Sequence, residues 1–360
     1  MTTIQRFEVD QLRNLLDVKI MPSAGINVLH GSNGSGKTSL LEAVYMLGVG
    51  RSFRSNRLDP VINEHADQCV VYAELEGQLS IGFSKSRKNA HILKLQGNKQ
   101  RNWSDVARHM PLQIINSDSF LLLEGGPGIR RRFLDWGVFH VEQDFLNNWR
   151  NAGKCLANRN QLLKMDRLDT QQLLAWDNEF TELATKIDEA RQHYIEEFIP
   201  QAIQTVAELI EISDLGFSYY RGWAESKSYS EVLLSEREKD QRYGSTQFGP
   251  HRADIHIRVG RRPAAEVLSR GQQKLLVSAL KIAQGIFLSR QSGRSGVYLV
   301  DDLPSELDVP NRARVCGLLH ELDAQVFMSC VDINELENKG VSVAIDRKFH
   351  VEHGKIRVTD

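Results

Sequence analysis

Gly31, Ser32, Asn33, Gly34, Ser35, Gly36, Lys37 and Thr38 run GSNGSGKT, the spacing of a phosphate-binding loop. Glycines let the backbone bend until successive N–H groups converge on phosphate oxygens. Lys37 is then placed to reach the β- and γ-phosphates, and the Thr38 hydroxyl to ligate Mg²⁺. The loop follows the apolar run Ile26-Asn27-Val28-Leu29 and opens a helix, whose N-terminus adds partial positive charge. A plain glycine-rich turn accounts for the glycines but not for this strand–loop–helix setting.

A second group is Asp301-Asp302, delivered by the apolar run Val297-Tyr298-Leu299-Val300. A buried strand ending beside the loop lets Asp301 hold Mg²⁺ through Thr38 and water, and puts Asp302 where it can orient or deprotonate an attacking water. Lys37, Asp301 and Asp302 are thus the candidate catalytic residues, with Thr38 and Asp301 the candidate metal ligands. Taken alone, the pair also fits a strand that ends in a solvated acidic turn. The third group, Ser269-Arg270-Gly271-Gln272, stands at the start of another helix: Ser269 has the chemistry of an N-cap, and Gly271 allows close approach to an anion. By itself it reads better as an ordinary capped helix; its order and spacing relative to the other two groups are what favour a functional role.

The elements needed to position these groups are legible in outline. Ile4 to Val9 and Val18 to Met21 read as strands, Cys69 to Leu75 and Leu79 to Ser84 as a hairpin or edge meander, and Thr38 to about Leu47 as the helix after the loop. Between about 119 and 244, Leu, Glu, Gln, Arg and Asn recur at helical spacing. A strand at Ile255 to Val259, a helix from Arg270 to Leu288 and strands at 297–300 and 325–329 follow. The expected architecture is an α/β head made of residues 1–118 and 245–360, with a mostly helical lobe, 119–244, inserted into it.

Composition bounds the class without naming it. The 360 residues are 41% hydrophobic and 25% charged, with a formal net charge of −1, the balance of a soluble globular protein. Any nucleic-acid partner would have to meet basic groups gathered on one face. No apolar run reaches 18 residues, the N-terminus lacks a secretion signal, and Cys69, Cys155, Cys316 and Cys330 form no CxxC pair. The expectation is a cytoplasmic protein without disulfides, zinc or a membrane span. The five tryptophans, set among Leu and Phe, read as core rather than as base-stacking platforms, and His140, His251 and His256 lack metal-ligand spacing.

The combination GSNGSGKT, LSRGQQKLL and VYLVDDLPSELD resembles the ABC-type ATPase heads of SMC and Rad50 proteins. FEVDQLRNL, LEAVYMLGVGRSFRS, GGPGIRRRFLDWGVFH and FGPHRADIHI make the likeness greatest to the bacterial recombination mediators of that family. The likeness runs from the first strand to about Ser329. It implies a split site in which Ser269, Arg270, Gly271 and Gln272 of one copy cap the γ-phosphate held by Gly34, Gly36 and Lys37 of another, with Asp308 contacting across the same interface. It further implies ATP and Mg²⁺ as cofactors and a homodimer that forms with ATP. The remaining implications are double-stranded DNA near single-strand gaps as the partner, loading of recombinase (RecA) onto single-stranded DNA coated with binding protein, mediators of the RecR and RecO type as further partners, and a place at the nucleoid.

Three departures from the family pattern point to a slow switch. Asp302 stands where a glutamate is usual, Ser329-Cys330 where many members have a histidine, and the glutamine that links the lobe to Mg²⁺ has no clear counterpart, with Gln113 and the Asn116-Ser117-Asp118 turn as alternatives. Candidate DNA-contacting cations are Arg51, Arg54, Arg57, Lys85, Arg87, Lys88, Arg130, Arg131, Arg132, Arg261 and Arg262, although such clusters are more often solvated surface. A transporter ATPase subunit is the competing function. A long-armed SMC protein is disfavoured, because the stretch 119–244 is short and lacks sustained heptads.

Overall fold

The computed structural model describes residues 2–165, 167–322, 324–337 and 344–359. The chain forms two compact units, one of residues 1–119, 208–210 and 274–360, the other of residues 120–207 and 211–273.

The first unit is built on two sheets. In the antiparallel one the order is Leu15–Ile20, Ile4–Leu12, Gln68–Leu75, Leu79–Ser86, Ile92–Leu95, Asn98–Gln100. Period-two burial marks it: Cys69, Val71, Ala73 and Leu75 point into the core, while Val70, Tyr72 and Glu74 alternate toward solvent. The second sheet has the order Lys355–Thr359, Arg347–Glu352, Ile26–His30, Gln325–Cys330, Val297–Val300, Leu112–Ile115, parallel except for its first pair. Val297–Val300 and Gln325–Cys330 are buried at every residue, which is why they read as unbroken apolar runs. Between the sheets lies the helix Lys37–Val49, almost wholly buried and packed in one core with Phe7, Val71 and Phe327. Gln325 joins the two sheets: its Oε1 accepts from Ile4 N at 2.8 Å and its Nε2 donates to Ile4 O at 2.9 Å.

Helices dominate the second unit: Pro127–Val141, Phe145–Leu163 and Thr170–Leu209, the last 40 residues long with Pro200 inside it. They accompany a three-stranded sheet in which Asp254–Val259 pairs with both Leu215–Tyr220 and Arg262–Pro263. That pairing draws residues 245–273, assigned to the head on sequence pattern, into the same unit as the helices; the boundary expected at 244/245 is absent from this division, and the signature segment Ser269–Gln272 falls on the helical side. Charge is buried here beside opposite charge, although Arg159 Nη2 is left without a hydrogen-bond partner. Arg159 is fully inaccessible and donates to Asp177, Asp240 and Thr246, each at 2.7 Å. Arg191 forks onto Asp135 and also donates to Pro250 O.

All four cysteines are buried free thiols. Trp223 is fully buried and Trp103 donates its indole N–H to Leu47 O at 3.0 Å, but Trp149 is 49% exposed, so the core reading fails for it. No helix among the described residues is long and apolar enough to cross a membrane.

His251 supplies a pH-dependent stability. Its Nε2 donates to Thr246 O at 3.1 Å, and burial lowers its pKa to about 4. Because the folded value lies below the unfolded one near 6.5, the stabilisation is whole above pH 6.5 and is lost as pH falls toward 4. A shift of that size corresponds to about 3 kcal/mol. In urea titrations the stability gap between the wild type and His251→Gln narrows over this window; a gap that stays constant refutes the assignment.

Candidate functional site

Strand register brings the three groups of the phosphate site together. His30 pairs with Cys330 and Leu29 with Ser329, while Val300 pairs with Met328 on the other side of the same strand. The phosphate loop leaving Ile26–His30 and the acids leaving Val297–Val300 therefore emerge at the same carboxyl edge, with Ser329 between them. They line a cavity of about 570 Å³ together with Asn33, Gly34, Gly36, Lys37, Thr38 and Ser39.

Each loop glycine has a local reason. Gly31 (φ 148°), Gly34 (φ 78°) and Gly36 (φ 123°) hold backbone angles that L side chains rarely adopt, and a Cβ on Gly31 would lie 2.2 Å from Val351 O. The loop is clamped from outside: Gly31 N donates to Val331 O and Gly354 N to Ser35 O. Asn14 Nδ2 donates to Gly34 O at 3.1 Å. The helix Lys37–Val49 has no acid in its first turn and no side-chain cap, so its end N–H groups await an anion. Lys37 Nζ, itself buried, donates to Gly31 O at 2.6 Å and Ser32 O at 2.9 Å. Burial lowers the Lys37 pKa, opposed by the charges of Asp302, Cys330 and Asp301.

Around Asp301 a small network fixes the acids. Thr38 Oγ1 donates to Asp301 Oδ1 at 3.0 Å, and Ser329 Oγ donates to the same oxygen at 2.7 Å while accepting from Asp302 N at 2.9 Å. Asp302 is held at φ 55°, ψ 45°, a left-handed conformation that non-glycine residues seldom adopt and that tends to occur where function requires it. The residues fit a magnesium nucleotide. The buried Ser35 Oγ has no hydrogen-bond partner. A hydroxyl and a carboxylate oxygen converge beside the cradle, while no group of three His, Cys, Asp or Glu residues that could hold a metal occurs among the described residues. The Thr38 hydroxyl beside the Asp301 carboxylate is a donor set suited to Mg²⁺, which takes few carboxylates and completes its shell with phosphate oxygens and water.

The signature residues form a reciprocal helix cap. Ser269 Oγ accepts from Gln272 N at 3.3 Å, and Gln272 Oε1 accepts from Ser269 N at 2.9 Å. Ser269, Arg270 and Gly271 are exposed, a Cβ on Gly271 would meet nothing within 4 Å, and Arg270 pairs with Glu124. Asp308 is exposed and caps the helix Val309–Glu321, accepting from Asn311 N at 3.1 Å. Neither alternative for the missing glutamine lines the cavity: Gln113 donates to Gln284 at 2.9 Å, and Asn116 is bonded to Ser119.

Sequence reasoning missed Arg13 and Asn14, which line the same cavity, and the bonding role of Ser329. Arg13 forks onto the fully buried Glu42 at 2.9 and 3.0 Å. Arg54, taken from sequence as a DNA cation, also lines the cavity, 3.6 Å from Glu42. Several other candidate cations are engaged internally: Lys85 with Asp59, Arg87 with the carbonyls of Asn63 and Ala66, Arg130 with Asp254 and Gly125 O, and Arg131 with Ala253 O.

A two-sheet α/β head with a glycine cradle, a strand-borne acid pair and an exposed serine-capped helix defines an ABC-type ATPase head of the SMC/Rad50 kind. Residues 3–355 match the model of the RecF/RecN/SMC N-terminal domain, and the chain belongs to that family. It is 46% identical over 361 residues to the DNA replication and repair protein RecF of Pseudomonas entomophila, covering 99% of this chain and 98% of that one. It is 47% identical to RecF of Pseudomonas aeruginosa at the same coverage. Among solved structures, the recombination mediator RecF with ATP superposes with a TM-score of 0.84 at 25% identity, covering 100% of this chain and 98% of that one. An SMC head bound to the C-terminal winged-helix domain of ScpA gives 0.61 at 15% identity, covering 99% and 96%, a likeness of fold alone.

Proposed function

We propose that this chain is an ATP-gated DNA clamp of recombinational repair, acting as a slow ATPase switch. Gly31 to Thr38 hold ATP, Thr38 and Asp301 hold Mg²⁺, and Asp302 orients the attacking water. The Ser269–Gln272 segment and Asp308 of a second copy seal the nucleotide, so ATP binds the assembled dimer better than the monomer and drives assembly by that difference. The dimer grips duplex DNA near single-strand gaps and works with RecR- and RecO-type mediators to load recombinase. The convergence of Thr38, Ser329 and Asp301 at the mouth of the cradle carries this reading, in a chain whose full-length relatives are named DNA replication and repair proteins. Those relatives, and the match to RecF with ATP, favour repair over a transporter subunit.

Slow turnover follows from Asp302, whose carboxylate is one methylene shorter than the usual glutamate, and from Ser329, whose hydroxyl is committed to Asp301 and Asp302. Light scattering of the whole chain with and without ATP tests the scheme. The wild type dimerises with ATP and Mg²⁺. Lys37→Arg loses at least tenfold in ATP-driven dimer yield, because a planar guanidinium cannot replace a compact ammonium held by two carbonyls. Dimer yield indifferent to both ATP and this substitution overturns the proposal.

A further inference from the structure

The antiparallel sheet of the first unit carries a charge pattern that the ATP site does not use. Between Glu76 and Asp105 the chain has no acid and six Lys or Arg residues. Two of them, Lys85 and Arg87, are tied down by Asp59 and by backbone carbonyls. Lys88, Lys94, Lys99 and Arg101 are exposed. Register places Lys94 directly opposite Lys99 on neighbouring strands. Like charges so placed repel and destabilise a sheet. A lysine on an edge strand also discourages unwanted strand pairing, which accounts for Lys99 on Asn98–Gln100. It does not account for Lys94, whose strand Ile92–Leu95 is paired on both sides.

The surface beside this pair is low and mostly polar, with the partly exposed Ile92 opposite Ser84 as an apolar side chain on it. Gly82 lies opposite Lys94, and Tyr72 opposite Gly82, so one row reads Lys19, Glu8, Tyr72, Gly82, Lys94, Lys99 across the sheet. Ser80 and Ser84 share the outward side of the same strand as Gly82, two residues before and after it. A Cβ on Gly82 would make only ordinary contacts, 3.9 Å to Tyr72 and 4.0 Å to Lys94. Packing therefore does not demand glycine here, and its absence of a side chain keeps the strand open to a close approach by another molecule. Two acids share this face, Glu8 opposite Tyr72 and Glu74 opposite Ser80, and Arg6 pairs with both, so neither stands as an uncompensated charge beside the lysines.

We propose that Lys94 and Lys99, flanked by Lys88 and Arg101 and floored by Ser80, Gly82 and Ser84, form a contact surface for the phosphate backbone of duplex DNA. The proposal rests on the reading that this chain acts on DNA, and it locates one place where the duplex touches. The contact is to phosphates alone, so it holds the duplex without regard to sequence.

Fluorescence anisotropy of the full chain with ATP, on labelled duplexes of two unrelated sequences over a salt titration, tests it. Each phosphate contact contributes about 0.9 to the slope of log affinity against log salt. K94Q/K99Q therefore lowers the slope by about 2 and weakens binding about tenfold or more at moderate salt, equally for both sequences. The matched control K154Q/K186Q, on helices of the second unit, leaves the slope as in the wild type. A K94Q/K99Q slope equal to that of the wild type overturns the placement, as does a variant that keeps duplex affinity but loses binding to an acidic protein. Wild-type chain without salt-dependent duplex binding sinks the DNA reading itself and this surface with it.

Discussion

Ser269→Arg binds ATP as the wild type does and fails to dimerise. Ser269 is absent from the cavity formed by the phosphate loop of its own chain, so nucleotide affinity of the monomer is untouched. The substitution removes one helix cap, a cost of about 1 kcal/mol, at the exposed end of a 23-residue helix anchored in the core by Leu276, Val277 and Leu280. The fold survives. What changes is the surface offered to a second copy: a small hydroxyl beside an open glycine becomes a long cationic side chain where the proposed dimer needs a γ-phosphate to fit closely against backbone N–H groups. The expected loss in dimer affinity is on the order of a hundredfold, about 3 kcal/mol. Isothermal titration with a non-hydrolysed ATP analogue and sedimentation on the same sample separate the two effects. A variant that both binds and dimerises like the wild type removes the serine-capped helix from the interface.

The contrast between what was readable in the sequence and what was not follows from how each feature is assembled. The phosphate loop was legible because its chemistry needs eight contiguous residues, and Asp301 because a buried parallel strand has to be an apolar run that ends where the acid begins. The role of Ser329 was not. It arises only when Gln325–Cys330 pairs between Ile26–His30 and Val297–Val300, a relation between segments about 300 residues apart in the chain. The final hairpin escaped notice likewise, since Gly354 and Val351 matter through backbone atoms that buttress the loop, and a backbone atom leaves no residue signature. Charge misled most. Arg130, Arg131, Lys85 and Arg87 look like free cations in a string of letters, yet each is engaged by a carboxylate or a backbone carbonyl of its own chain. Lys94 and Lys99, five residues apart, form a pair only because a hairpin puts them in register.

Asp301→Asn is the sharpest probe of the metal assignment, because it changes charge while preserving shape. The carboxamide oxygen still accepts from Thr38 and Ser329, so the geometry at the end of Val297–Val300 is kept. Two adjacent carboxylates no longer repel, and the apo protein is as stable as the wild type or slightly more so. Lys37 loses one of the charges that oppose the effect of its burial, yet Asp302 still favours its protonated form. The cost falls on divalent-cation binding, since an amide is a weak ligand for a hard cation and the site has few protein oxygens to spare. ATP turnover drops on the order of a hundredfold, and nucleotide affinity, expected to rise with Mg²⁺ in the wild type, becomes nearly independent of it. Binding titrations at several Mg²⁺ concentrations read this directly, without reference to turnover. If the variant keeps the full Mg²⁺ dependence, the metal is held elsewhere, and the bonds from Thr38 and Ser329 to Asp301 serve only to fasten one strand end to the next.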